Sequence, residues 1–251
     1  MTHYPDEFLA ALGEWQRGWG EEAAGRLRTT ARLSTAISAL QDAPAEIFQC
    51  SARCYRKRFL IPNNQQNGGD MMPLFFHGEI DEGFASWTTD FEFARFIFKK
   101  EARPGEVGAI FAAQPSPEDV VLNIAALWLR ADFVAAVESY RLRGGAESAA
   151  LDNFKNKQSE VILKARLRLD DVTALCVQIP SLENICAQLD IRDDEQVDAV
   201  WALMVQRDWF PTSALWSEGE KAQAQLDLTI EKIKAWFESN VPDIDRYRAK
   251  N

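Results

Sequence analysis

Between residues 47 and 179 the apolar residues come in short runs of strand length, and helical stretches do not alternate with them regularly. No other feature constrains the fold as strongly, because a doubly wound parallel sheet needs a crossover helix after each strand. Strand-like runs lie at 47–59, 107–113, 120–122, 159–167 and 172–179, with a helix near 127–140. Asp90 suits the N-cap of a further helix carrying Phe93, Ala94, Phe96 and Ile97. The polar stretch 62–70, built on Asn63-Asn64-Gln65-Gln66-Asn67-Gly68-Gly69, has the composition of an exposed loop, and an apolar run resumes over 71–77. The expected class is therefore α+β.

Helical periodicity flanks this middle part on both sides. Phe8, Leu9, Leu12, Trp15 and Trp19 recur at helical spacing over 5–19, and Ala24, Leu27, Ala31, Leu33, Ile37 and Leu40 over 21–41, before Pro44 interrupts. Toward the C-terminus Val197, Val200, Trp201, Leu203, Met204 and Val205 form one apolar face. Leu226, Ile230, Ile233, Trp236 and Phe237 form another, and Asp208-Trp209-Phe210-Pro211 breaks between them. The organisation expected is a helical extension over 1–45, a central domain over 46–180 and a helical region over 181–251. Trp201, Trp209, Trp216 and Trp236 all fall in the last of these, either packing its helices on the central domain or presenting a face to a partner.

The formal net charge of −10 is distributed as −2 over 1–45, −2 over 46–180 and −6 over 181–251. A near-neutral middle accepts an anionic ligand, whereas the acidic C-terminal part repels nucleic acid and membrane phosphates unless a partner covers it. Cys50, Cys54, Cys176 and Cys186 have no Cys-x-x-Cys spacing and read as free thiols. The first residues carry acids rather than a basic leader, and no apolar run approaches the ~20 residues of a membrane helix, so a cytoplasmic protein with no membrane contact is expected. Asp170-Asp171 and Asp193-Asp194 read as solvated turns, and no metal is expected.

Three segments carry the candidate chemistry: Cys54-Tyr55-Arg56, Gly83-Phe84-Ala85-Ser86-Trp87-Thr88-Thr89 and Gln158-Ser159-Glu160-Val161-Ile162-Leu163. The planar fork of an arginine donates paired hydrogen bonds to phosphate, and Arg56 closes a strand-like run beside an aromatic ring. A carboxylate stabilises the oxocarbenium-like sugar formed when a glycosidic bond breaks, and Glu160 enters an apolar strand where a charge needs a partner. Ser86, Thr88 and Thr89 offer that partner, although hydroxyls at such positions also serve as ordinary caps. Arg53 lies three residues before Arg56, on the opposite face of a strand, so only one of the two points into a cleft, and Tyr55 favours Arg56. His3 and His77 are the only histidines, leaving little for a nucleophile–histidine system. No Gly-x-Gly-x-x-Gly or Gly-Lys-Ser/Thr phosphate loop occurs.

The order aromatic-Arg, Ser-x-Thr followed by a helix, and Gln-x-Glu entering an apolar strand resembles the ADP-ribosyltransferase fold, in particular its Arg-Ser-Glu toxin-like clade. The resemblance covers about 46–180 and is most specific over 83–96. It implies a split-sheet domain that takes NAD as substrate. Arg56, with Tyr55, Ser86, Trp87 and Thr88, would bind NAD, Ser86 would support the catalytic glutamate, Glu160 would be that glutamate, and Gln158 would select the acceptor. Trp87 stands where the family has a small residue, and stacking on nicotinamide is a possible use of its ring. The Gln-x-Glu form points away from arginine as acceptor. Lys155, Lys157, Lys164, Arg166 and Arg168 are either a hold for a polynucleotide acceptor or a solvated strand face, and 142–157 would be the loop presenting the acceptor. The resemblance also implies a toxin or anti-phage role with an antitoxin or chaperone on the helical flanks. Hydrolysis of NAD by water and a non-catalytic binding module are the alternatives.

Overall fold

The structure, a computed structural model, describes residues 4–18, 23–60, 71–96, 107–153, 155, 158–178, 182–207 and 214–240. Two helices open it, α1 (Asp6–Arg17) and α2 (Ala23–Ser38). Asp6 and Glu7 in the first turn of α1 and Arg17 in the last complement its dipole, and the helix stops at Gly18, whose φ of 82° only glycine adopts freely. β1 (Cys54–Phe59), α3 (Met72–His77), β2 (Glu79–Asp81), β3 (Ala85–Thr88) and α4 (Phe91–Phe96) follow. Next come β4 (Val107–Ala113), β5 (Val120–Asn123), α5 (Ile124–Trp128), α6 (Ala131–Leu142), β6 (Glu160–Leu163), β7 (Arg166–Arg168) and β8 (Val172–Gln178). α7 (Leu182–Gln188), α8 (Asp194–Gln206), β9 (Ala214–Glu218) and α9 (Gly219–Asn240) complete the described chain. No described helix is long and apolar enough to cross a membrane.

The class is α+β. Seven strands form an antiparallel sheet in the order β5-β6-β3-β1-β4-β8-β9, and β2 pairs with β7 in a separate ribbon. Pairing is dense on either side of the centre, with six registered pairs between β1 and β4 and four between β3 and β6. β1 and β3 share one registered pair, Tyr55 with Thr88. The sheet is thus two well-paired halves joined at a single point.

Strand alternation sends neighbouring residues to different cores. Trp87, Val161 and Leu163 join Phe111, Leu175, Leu74 and Phe75 in one cluster, which α9 closes with Ala222, Leu226 and Ile230. Ile162 and Leu122 turn the other way and meet Phe8, Leu9, Leu12 and Trp15 of α1, Leu33 of α2 and Phe133 of α6. β6 is therefore buried at all four positions, which explains why it reads as an uninterrupted apolar run. The two N-terminal helices share a continuous core with β5 and β6.

Several elements differ from their sequence expectation. The run 47–59 divides into a 3-10 turn at Ala45–Phe48 and a strand that begins only at Cys54. The single helix expected near 127–140 is two, because Asn123 caps α5 through Ala126 N at 3.0 Å while Asp132 accepts from Phe133 N at 2.9 Å as α6 begins. Between them Leu129 is 89% exposed. The run 159–167 bends after Leu163 and supplies β7 to the small ribbon. In the region read as helical, β9 adds an edge strand to β8, and Trp216 lies beneath two cations, with Lys57 Nζ 5.2 Å and Arg95 Cζ 5.0 Å from its ring centroid. Trp201 is 42% exposed. The loop at 62–70 and the break at 208–211, including Trp209, lie outside the described residues. All four cysteines are free, with the Cys50 and Cys54 sulfurs 3.7 Å apart.

Candidate active site

Three strands deliver the side chains, and each does so for a local reason. Ser86 sits mid-strand on β3 and Glu160 opens β6, and the antiparallel register sets Thr88 opposite Glu160 and Ser86 opposite Ile162. Residues 160 and 162 share a face, so the Ser86 hydroxyl reaches the carboxylate and donates to Glu160 Oε1 at 2.5 Å. Thr88 ties the end of β3 to the approach of β6. Its hydroxyl donates to the Gln158 carbonyl and accepts from Asp90 N at 3.0 Å. The chain enters β6 through Ser159, whose φ of 45° is left-handed, and Ser159 O accepts from Thr89 N at 3.2 Å.

Arg56 comes from β1 at the point where that strand leaves β3. Its Nη1 donates to the Ser86 carbonyl at 2.7 Å, and its Nε donates to Glu82 Oε2 at 2.6 Å. Arg58 Nη2 stands 3.1 Å from Glu82 Oε1, and Arg26 donates to the Glu82 carbonyl. Burial alone pushes the Glu82 carboxyl up, but the charges of Arg56 and Arg58 outweigh it and hold the group below the usual carboxylate range. Burial pulls the Arg58 guanidinium down to about 10.

Glu160 is 4% exposed. Its Oε1 also accepts from Trp15 Nε1 at 3.2 Å, and its Oε2 accepts from Gln16 Nε2 at 2.5 Å. Burial raises its pKa, against which the hydrogen bonds from Ser86, Gln16 and Trp15 and the charge of Arg56 all work. The last turn of α1 is fastened in place: Asn153 Nδ2 donates to Gln16 O at 3.1 Å, Arg17 pairs with Glu147, and Arg32 pairs with Glu14 at 2.6 Å.

Tyr55, Arg56, Ser86, Trp87, Thr88 and Gln158, all expected at the site, line one cavity of about 90 Å³. Gln158 is 7% exposed, and its Oε1 is buried without a partner among the described residues. Trp87 is 1% exposed and belongs to the main core, its Nε1 likewise buried and unpartnered among the described residues. Tyr55 packs edge-on against Phe91, 5.2 Å between centroids, on the α4 side of the sheet. Arg53 is exposed and does not line this cavity; it borders a cleft of about 580 Å³ with Tyr55 and another of about 680 Å³ with Lys164, Arg166 and Arg168.

The chain matches no family model, no curated protein and no solved structure.

Of the basic residues expected near an acceptor, Lys164, Arg166 and Arg168 gather around the cleft that Arg53 borders rather than beside Glu160. Lys155 Nζ lies 4.3 Å from the Trp128 ring centroid, and Arg166 and Arg168 both pair with Glu79. Lys164 follows the end of β6, about 13 Å along the strand from Glu160. Lys157 lies outside the described residues. Four residues join the cluster without a sequence signal: Trp15 and Gln16 from α1, and Glu82 and Arg58. Helical periodicity marks Trp15 as apolar core, but nothing in it announces that its indole N–H and the next side chain meet a carboxylate 145 positions away.

Proposed function

We propose that this chain cleaves NAD at its nicotinamide bond and transfers ADP-ribose to an acceptor, using an Arg56–Ser86–Glu160 site on an ADP-ribosyltransferase-type split sheet. One observation carries the reading. The Ser86 hydroxyl holds the buried Glu160 carboxylate at 2.5 Å while Arg56 holds the Ser86 carbonyl at 2.7 Å, beside the single pair, Tyr55 with Thr88, that joins the two halves of the sheet.

In the reaction the C1′–N bond breaks and its electron pair leaves with neutral nicotinamide. The ribose carries the developing positive charge, and the Glu160 carboxylate stabilises it while accepting a hydrogen bond from a ribose hydroxyl. The acceptor nucleophile then bonds to C1′ and releases its proton to water. Arg56 is the cation nearest to take the pyrophosphate, which requires it to share or exchange its bond to Glu82. Gln158, two residues before Glu160 and with a buried amide oxygen that has no partner among the described residues, is the group that would orient the acceptor. Water as acceptor makes the same site an NAD glycohydrolase. The biological setting we propose is a toxin or anti-phage effector in the cytoplasm, its acidic C-terminal part covered by an antitoxin, chaperone or target.

A second reading, a non-catalytic binding module, is favoured by the enclosure of Glu160. The adjoining cavity of about 90 Å³ is smaller than the ~300–1,000 Å³ of ligand sites, so NAD needs the site to open. Purified wild type and Glu160→Gln, incubated with adenylate-labelled NAD in cell lysate with and without nuclease, separate the readings. Label on protein or nucleic acid that depends on Glu160 establishes transfer. Nicotinamide release without label establishes hydrolysis, and neither signal at any lysate composition favours the binding module. Growth arrest on induction of the intact gene is expected for the toxin role, and unimpaired growth counts against it.

A further inference from the structure

We propose that the last turn of α1 belongs to this site: Trp15 positions the Glu160 carboxylate through Oε1, and Gln16 keeps on Oε2 the place that a ribose hydroxyl of NAD takes. The assignment rests on the NAD reading of Glu160, and it brings into the site two residues from outside 46–180.

A carboxylate has about four lone-pair sites. On Oε1 both are used, by Trp15 Nε1 at 3.2 Å and Ser86 Oγ at 2.5 Å. These two donors come from different elements, α1 and β3, so together they fix the plane of the carboxylate. On Oε2 Gln16 Nε2 at 2.5 Å is the one donor among the described residues. Gln16 is 4% exposed and closes the carboxylate from solvent. A substrate hydroxyl that donates to Glu160 therefore meets Gln16 first.

The two side chains are not equally able to move. Trp15 is packed in the same core as Phe8, Leu9 and Leu12, and displacing it would expose that core. One turn earlier, Gly13 lies against Glu147 so closely that a Cβ would stand 2.6 Å from the Glu147 carbonyl oxygen. The helix body is thereby held against the segment that follows α6. The Gln16 side chain, by contrast, has its bond to Glu160 as its one hydrogen bond among the described residues, while Asn153 fastens its carbonyl. Rotation of Gln16 about its own side-chain bonds frees Oε2 and leaves Trp15 and Ser86 on Oε1. The exchange is one donor for another, amide N–H for hydroxyl O–H.

The groups facing Glu160 are Ser86 from β3, Arg56 from β1, and Trp15 and Gln16 from α1, and only Arg56 among the neighbours carries charge. Removing a neutral donor from an ionised, buried carboxylate raises its pKa further. Trp15→Phe keeps an aromatic ring in the core, although a smaller one, and deletes the N–H, and Gln16→Ala deletes the guard.

The test follows the Glu160 carboxyl directly by NMR of the full chain labelled with 13C at the glutamate side-chain carboxyl, the resonance assigned by its loss in Glu160→Gln. The expected result is a Glu160 midpoint that moves up in Trp15→Phe, whereas in Gln16→Ala the loss of a donor and the entry of water oppose each other, and that variant is read by its NAD affinity. Alongside it, NAD should bind about tenfold more tightly to Gln16→Ala, the strength of a hydrogen bond to a charged group that no longer has to be displaced. Trp15→Phe should lose kcat with KM little changed and an acid limb displaced upward. An unmoved midpoint in folded Trp15→Phe overturns the proposal, whatever NAD does. If NAD is turned over while its affinity for Gln16→Ala is unchanged or weaker, Gln16 is not the guard, and the proposal falls with the NAD reading intact. A moved midpoint in Trp15→Phe with no NAD binding in any variant supports the hold of α1 on Glu160 and overturns the NAD reading instead.

Discussion

At the scale of single residues, the cluster depends on two buried carboxylates with opposite environments. Glu82 is surrounded by arginines that compensate its burial, whereas Glu160 is held mainly by neutral donors that compensate it only in part. Glu82→Gln leaves Arg56 and Arg58 without their counter-charge, and breaking a buried pair in this way is expected to cost about 3–5 kcal/mol in urea denaturation at neutral pH. Because the folded-state pKa of Glu82 is held below its unfolded value of about 4.3, its stabilisation is fully present above that value. It is lost as pH falls through the lower folded value, so the wild-type advantage over Glu82→Gln shrinks in acid. An advantage that does not depend on pH would rule out the ion pairs as its source. Glu160 behaves oppositely. Burial raises its pKa, so turnover that needs the carboxylate should fall off on the acid side at a pH above the ordinary glutamate value, read from kcat against pH. On the proposed NAD reading, Arg56→Ala should weaken NAD binding more than Arg53→Ala, since Arg56 and not Arg53 holds the Ser86 carbonyl, and calorimetric titration decides the order.

At the scale of elements, α1 is the part on which the site leans most. Its docking depends on Gly13, where a methyl group would meet the backbone of Glu147 rather than a yielding side chain. Gly13→Ala is expected to destabilise the protein by about 1–3 kcal/mol, read as a lowered thermal midpoint, and to disturb the Trp15 and Gln16 bonds to Glu160 with it. An unchanged midpoint would mean that α1 slides along the 147–153 segment without cost. The segment 142–157, expected as a loop presenting an acceptor, is over its described part a turn and a 3-10 helix fastened to α1 through Glu147 and Asn153.

At the scale of the whole molecule, the C-terminal part completes the core. β9 covers the edge of β8, and Ala222, Leu226 and Ile230 of α9 enter the cluster that contains Trp87 and Val161. Each large apolar side chain of this kind contributes about 1.5–3 kcal/mol when buried, against a total stability of about 5–15 kcal/mol for a domain. A chain ending at Arg207 should therefore expose both an edge strand and a core face. Aggregation or loss of a cooperative unfolding transition, followed by size-exclusion chromatography and circular dichroism, is the expected outcome, and a soluble, cooperatively folding fragment would contradict it.

Much of this was written locally in the chain. Helical spacing marked α1, α2, α8 and α9, apolar runs marked β4, β5, β6 and β8, and Asp90 marked the start of α4, where it accepts from Phe93 N at 3.0 Å. The order of Arg56, Ser86 and Glu160 was also legible, because their residue types and strand settings are features of short segments. Tertiary structure alone decided that β9 joins the sheet and that Arg56 is shared with Glu82. It alone decided that Trp15 and Gln16 close over Glu160. These are contacts between residues tens to more than a hundred positions apart, set by how two half-sheets meet at one pair and how a helix packs across one of them. Periodicity and propensity record the face that a residue presents, not the distant group that will meet it there.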